Sequence, residues 1–188
     1  MKFSCYSQEN YRFSSIMTFK ERYLKMERLY LKQKVFSITE KFTFYDLNQN
    51  EVYKARGSFF ALPKYYTLVD NQGQAFVEVR RTFLSFMPEF TLIDLQRGTE
   101  ICRIRKRFRL GFPKLDIYAD NAQYLIDGSF WAHEFTVKNE QGHLLITVSK
   151  QWISWGDAYE ITVDTRLIEK HVAAGIVLAI DCTYHSNK

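Results

Sequence analysis

Val172-Ala173-Ala174-Gly175-Ile176-Val177-Leu178-Ala179-Ile180 is a run of nine residues without a polar side chain. It sits inside a longer stretch of helical composition, Arg166 to Cys182, that also carries Leu167 and Ile168. A helix apolar on every face must be enclosed on every face, by protein or by lipid. Nine helical residues span about 14 Å, against a hydrocarbon core of about 30 Å. Lipid is therefore excluded by length, and the rest of the chain has to supply the enclosure.

The rest of the chain reads as sheet. The protein has 188 residues and a mass of 22.4 kDa, enough for one domain with a sizeable core. Hydrophobic residues make up 46% and charged residues 25%, which excludes wholesale disorder. Aromatics reach 16% while glycine and proline are scarce, a balance that favours packed strands.

Pro63, Pro88 and Pro113 are spaced 25 residues apart in similar surroundings. Phe59-Phe60-Ala61-Leu62-Pro63 aligns with Phe83-Leu84-Ser85-Phe86-Met87-Pro88 and with Phe108-Arg109-Leu110-Gly111-Phe112-Pro113. Trp152-Ile153-Ser154-Trp155-Gly156 is a copy without proline, Phe130-Trp131-Ala132-His133 is a weaker one, and Phe36-Ser37-Ile38 marks the first. Such a period means one supersecondary unit used repeatedly. Turn signals precede the copies: Asp46 to Asn50, Asp70 to Gly73, Gln96 to Gly98, Ala119 to Asn121, and Asn139 to Gly142. The intervals alternate β-branched and aromatic residues, as in Tyr65-Tyr66-Thr67-Leu68-Val69. Turns at this spacing predict an antiparallel sandwich or barrel, with no room for crossover helices. Propeller blades need about 40–50 residues each and fit poorly. About a dozen strands fit between residues 28 and 165. A barrel closed around the helix removes the sheet edges and fills the lumen at once.

Aligning the copies assigns the faces. Val77, Val79, Arg81 and Phe83 share one face with Cys102, Ile104, Lys106 and Phe108, and with Ile146, Val148, Lys150 and Trp152. This is taken as the inward face, and it holds a basic residue at one equivalent position in three copies. Arg81, Lys106 and Lys150 must then pair, reach a rim or bind an anion, and Asp181 at the end of the apolar helix is the expected ion-pair partner. The opposite face of the third unit carries Arg103, Arg105, Arg107 and Arg109. On a strand they point one way over about 20 Å. Such a row attracts phosphate. It is equally the pattern of a solvated strand face whose charge is offset by neighbours.

Other chemistry finds little support. The net charge of +5 and pI near 9.0 lean toward anionic partners. Cys5, Cys102 and Cys182 stand far apart without a CxxC and read as free thiols of a reducing compartment. His133, His143, His171 and His185 do not fall at metal-ligand spacing, and no GxSxG, HExxH, P-loop or GxGxxG is present. Asp157 and Glu160 are three positions apart, so on a strand they point to opposite faces. His171 reads as a cap or packing residue. No catalytic residue, cofactor or metal ligand is expected. Residues 1–25 lack a secretory signal, so a cytoplasmic protein is the default.

Several separated motifs resemble a known family. Leu29-Tyr30-Leu31-Lys32-Gln33-Lys34-Val35-Phe36-Ser37, the Phe59-Phe60-x-Leu62 and Phe83-Leu84-Ser85-Phe86-x-Pro88 turns, Ser149-Lys150-Gln151-Trp152-Ile153-Ser154-Trp155-Gly156-Asp157-x-Tyr159, and Ile176-Val177-Leu178-Ala179-Ile180-Asp181 occur in order. Together they resemble the LURP-one-related family of tubby-like proteins over residues 28–185. The resemblance implies a twelve-stranded barrel around a hydrophobic C-terminal helix. Its tubby-like and phospholipid-scramblase-like relatives imply phosphoinositide or phospholipid association, although no tubby lipid-binding motif carries over onto these residues.

The expectation is a mainly β protein: a closed antiparallel barrel of about twelve strands over residues 26–188, enclosing a helix at about 166–182. Residues 1–25 are an extension or reflect an upstream start, with Met1, Met17 and Met26 as the candidate starts. The expected function is a non-enzymatic binding or scaffold module, peripheral at an anionic membrane surface through Arg103, Arg105, Arg107 and Arg109. Nucleic-acid binding through the same row, and a small-ligand carrier or enzyme, are the alternatives.

Overall fold

The computed structural model describes residues 26–33, 40–58, 63–82, 89–109, 112–119, 122–129, 134–153 and 156–185. Residues 1–25 and the motif copies at 59–62, 83–88 and 130–133 lie outside them. The strands are β1 (Met26–Gln33), β2 (Glu40–Tyr45), β3 (Glu51–Gly57), β4 (Tyr65–Asp70), β5 (Ala75–Arg81) and β6 (Glu89–Asp94). They continue as β7 (Thr99–Arg109), β8 (Phe112–Ala119), β9 (Ala122–Ser129), β10 (Glu134–Lys138), β11 (Leu144–Ile153) and β12 (Gly156–Asp164). Each pairs antiparallel with the next, and β1 closes the barrel against β12 from Met26↔Asp164 to Leu31↔Tyr159. Helix α1 (Lys170–His185) follows.

Alternation decides which side chains enter the lumen, and register carries the inward rows around the wall. Phe44 stands opposite Leu31 and Tyr53. Ile104 stands opposite Phe90 and Ile117, and Ile161 opposite Leu29 and Val148. All but one of these side chains are essentially sealed from solvent, and Tyr53 is nearly so. The inward row read from the repeat, Val77, Val79, Cys102, Ile104, Ile146 and Val148, is buried throughout.

Every residue of α1 from Val172 to Thr183 is buried, as an all-round apolar surface requires. Sixteen residues give a helix of about 24 Å. It begins at Lys170 rather than near Arg166. Asp164 explains the difference. Its carbonyl accepts from the Leu167 and Ile168 amides at 3.0 and 3.2 Å, and its side chain accepts from the Arg166 amide at 3.1 Å. That turn reverses the chain from the wall into the lumen. The first helical bond runs from the Ala173 amide to the Glu169 carbonyl at 3.0 Å.

The turns at the end where α1 starts are braced by side-chain acceptors. Asp46 Oδ1 takes the Asn48 and Asn50 amides, each at 2.8 Å. Asp70 Oδ1 takes Gln72 and Gln74 at 2.9 and 2.8 Å. Asp94 Oδ1 takes Gln96 and Arg97 at 2.8 and 3.0 Å, and Asn139 Oδ1 takes His143 at 2.8 Å. These are the turns that the Asp/Asn/Gly clusters announced.

The helix lies closest to β5, β6 and β7. Gly175 permits that approach, because a Cβ there would stand 2.9 Å from Val77 Cγ1 and 3.2 Å from Leu92 Cδ2. Overpacking of a filled core costs about 1–3 kcal/mol. Gly175→Val is expected to lower unfolding free energy by about that amount. Pairing it with Val77→Ala should recover part of the loss in chemical denaturation.

Candidate functional site

Three places in the barrel bring chemistry-bearing side chains together: the lumen beside the helix end, the outer face of β7, and the rim where α1 starts.

In the lumen the three inward basic residues separate. Lys106 is enclosed, at 7% exposure. Arg81 is partly exposed and Lys150 exposed. One repeat position therefore places its side chain inside the wall in one copy and toward solvent in another. Asp181 is buried on the last turns of α1, at 8% exposure. Tyr66 lies near it, with its hydroxyl pushed up to about 12 by burial and then by Cys182 and Asp181. Burial likewise pushes the Cys102 thiol up to about 12, with Glu100 adding to it, which leaves an unreactive thiol at neutral pH. Among the described residues no group of His, Cys, Asp or Glu is placed to hold a metal ion.

If the ion pair expected between Lys106 and Asp181 forms, removing either charge strands the other, at about 3–5 kcal/mol. Lys106→Met is therefore expected to destabilise the barrel strongly. Adding Asp181→Asn should restore much of the loss, read as coupling in a double-mutant cycle.

On the outer face of β7, Arg103, Arg105 and Arg107 project side by side, with side chains 55%, 52% and 60% exposed. The side chain of Arg109 lies outside the described residues. Each of the three faces an acid. Arg103 donates to both Glu100 oxygens at 2.7 and 2.9 Å. Arg105 bonds Glu89 Oε2 at 2.6 Å, from directly across on β6. Arg107 pairs with Asp116 of β8 and donates to the Tyr118 hydroxyl. The row is thus a ladder of alternating charge rather than a bare positive stripe. Glu100 lies on β7 itself, while Glu89 and Asp116 come from the neighbouring strands. Their placement depends on register, which a single strand's sequence does not display.

The rim where α1 starts ties the helix to the wall. Arg97 reaches both Asp94, at 3.0 Å, and Glu169, at 3.1 Å. Lys170 Nζ lies 2.6 Å from Glu27, and His171 Nε2 lies 3.0 Å from Glu169. The His171 ring packs 5.0 Å from that of Phe76. Burial holds the His171 pKa below the ordinary imidazole value, although Glu169 and Asp94 pull it upward. The folded state therefore resists protonating His171. Its contribution is complete above the unfolded value near pH 6.5 and is lost as pH falls through the lower folded value. Stability should decline on acidification below about pH 6.5, with this step absent in His171→Gln, measured by denaturant unfolding across pH. The cap or packing role read from the sequence agrees with this position.

Comparison with known proteins places these features. The LURP-one-related family model matches residues 27–181. A Bacillus subtilis (strain 168) protein, the uncharacterized protein YxjI, is 31% identical over 138 residues, covering 73% of this chain and 82% of its own. An X-ray structure of an Arabidopsis thaliana protein superposes with a TM-score of 0.54 at 18% identity, covering 81% of this chain and 91% of that one. The latter is similar in fold.

Proposed function

Because the chain belongs to the LURP-one-related family and encloses its own helix, we propose that it is a non-enzymatic binding or scaffold module that associates peripherally with anionic phospholipid. The observation that carries this reading is the row of Arg103, Arg105 and Arg107 on one strand face, each more than half exposed beside its carboxylate. Exposed ion pairs contribute about 0–1 kcal/mol. The Arg103 and Arg107 pairs, whose carboxylates are 28% and 20% exposed, are of this kind, while Glu89, at 7%, holds Arg105 more firmly. A basic side chain near an anionic leaflet gains about 1 kcal/mol. For Arg103 and Arg107 the two are comparable, so lipid phosphates can exchange with their carboxylates, and guanidinium forks suit either. Recruitment of this kind is weak and salt-sensitive. Among the described residues no helix is long and apolar enough to cross a membrane. The helix in the lumen speaks against a small-ligand carrier, which needs that space.

The test is binding to vesicles of graded phosphatidylserine content. Binding should rise with the anionic fraction at low salt and disappear in Arg105→Glu/Arg107→Glu. Glu89→Gln should strengthen it, because that change removes the carboxylate competing for Arg105. Equal binding to neutral and anionic vesicles at low salt would end this reading.

A further inference from the structure

Among the described residues five large apolar side chains are exposed: Leu47, Leu95, Leu125, Leu144 and Leu167. Single exposed leucines are ordinary. These are not scattered: Leu47, Leu95, Leu144 and Leu167 sit at one end of the barrel, and Leu125 stands opposite Lys138, level with Leu144. Leu47 lies in the β2–β3 turn, Leu95 in the β6–β7 turn, Leu144 at the start of β11, and Leu167 between β12 and α1. In an up-and-down barrel these connections share the rim where α1 starts.

The leucines are held in place. Asp46, Asp94 and Asp164 brace the turns that carry Leu47, Leu95 and Leu167. The Arg97–Glu169 bridge at 3.1 Å joins the Leu95 turn to the Leu167 turn. Lys170 faces Glu27 at 2.6 Å, which ties the start of α1 to β1 on the same rim. A fixed apolar rim differs from a floppy loop in that little ordering cost remains for a partner to overcome.

Charge identifies the partner. Arg97, Arg166 and Lys170 are already matched by Asp94 and Glu169, Asp164, and Glu27. Asp46, Asp70 and Glu140 make no ion pair among the described residues, and they outnumber Lys138, a lysine at this end that also makes none. The rim is therefore apolar with a surplus of carboxylate. Anionic headgroups would be repelled there, while lysine and arginine beside leucine-class side chains would be complementary.

We propose that this rim docks a basic amphipathic segment of another protein, whose apolar side chains meet Leu47, Leu95 and Leu167 and whose cations meet Asp46 and Asp70. The surface is separate from the outer face of β7, so the two can be occupied together and tested apart.

The experiment uses the full-length protein and a fluorescent amphipathic peptide of leucine and lysine, beside a leucine and glutamate control of the same pattern. Benzoylphenylalanine at position 95 adds a photo-crosslinking readout. The lysine peptide is expected to bind and crosslink at position 95. Leu47→Ser/Leu167→Ser should weaken it by roughly tenfold or more, as loss of central apolar anchors does. Asp46→Asn/Asp70→Asn should flatten its salt dependence, and Arg105→Glu/Arg107→Glu should leave it unchanged. Equal binding of the two peptides, or indifference to the leucine substitutions, overturns the proposal. Crosslinking to residues 1–25 of the same molecule would make the chain's own segment the occupant and overturn it. Crosslinking to a second copy would do so in favour of self-association. Crosslinking to anionic vesicles would do so in favour of a lipid surface.

Discussion

A helix without a polar face cannot meet water, and every larger feature of this barrel answers that constraint. From Val172 to Ile180 no turn of α1 has a side that tolerates solvent, so a single sheet packed on one side would leave the other bare. A sheet that wraps completely is the way for one domain to cover it. Closure then removes both sheet edges, which otherwise invite pairing with other chains. Gly175 shows how close the fit is, since one added carbon meets the wall at Val77. The turn fixed by Asp164 completes the device by sending the chain from the wall into its own lumen.

Filling the lumen with protein moves recognition to the outside. Ligand-binding barrels hold their cargo where this one holds α1. The groups left inside behave accordingly. Cys102 and Tyr66 are pushed toward their neutral forms by burial, and neither is a ready nucleophile or base near neutral pH. Partners are left with the wall and the two ends. The wall offers half-exposed arginines paired with carboxylates, and the rim where α1 starts offers leucines among carboxylates. These surfaces differ in sign and in polarity, so they suit different partners.

Much of the fold was legible because two periodicities are written directly into the chain. The alternation around Val77, Val79, Cys102 and Ile104 named the inward face, and Asp46, Asp70 and Asn139 named the turns. The all-apolar run required the enclosure. What was not legible is whatever depends on neighbours distant in sequence. Arg103, Arg105 and Arg107 read equally as a phosphate-attracting row and as a solvated face offset by neighbours, since no acid interrupts them along the strand. Glu89 and Asp116 reach two of them from flanking strands only once register is set. Arg81, Lys106 and Lys150 looked equivalent because the repeat aligns them, yet their depth in the wall differs. Leu47, Leu95 and Leu167 stand in separate turns, and only up-and-down topology gathers them on one rim.

The same pairing that hides the arginines also shapes what they can do. A bare row of guanidiniums would bind any polyanion and would load the sheet with self-repulsion. With Glu100, Glu89 and Asp116 in place, the row is nearly neutral at a distance and cationic only to a group that arrives close enough to displace a carboxylate. Long-range steering is reduced, while contact with a planar or tetrahedral oxyanion remains available. Such a surface discriminates by density of charge. A single phosphate gains no more than the carboxylate it displaces, whereas an array of phosphates engages several guanidiniums together and gains from each. A crowded anionic leaflet meets that condition, and a dilute soluble anion does not.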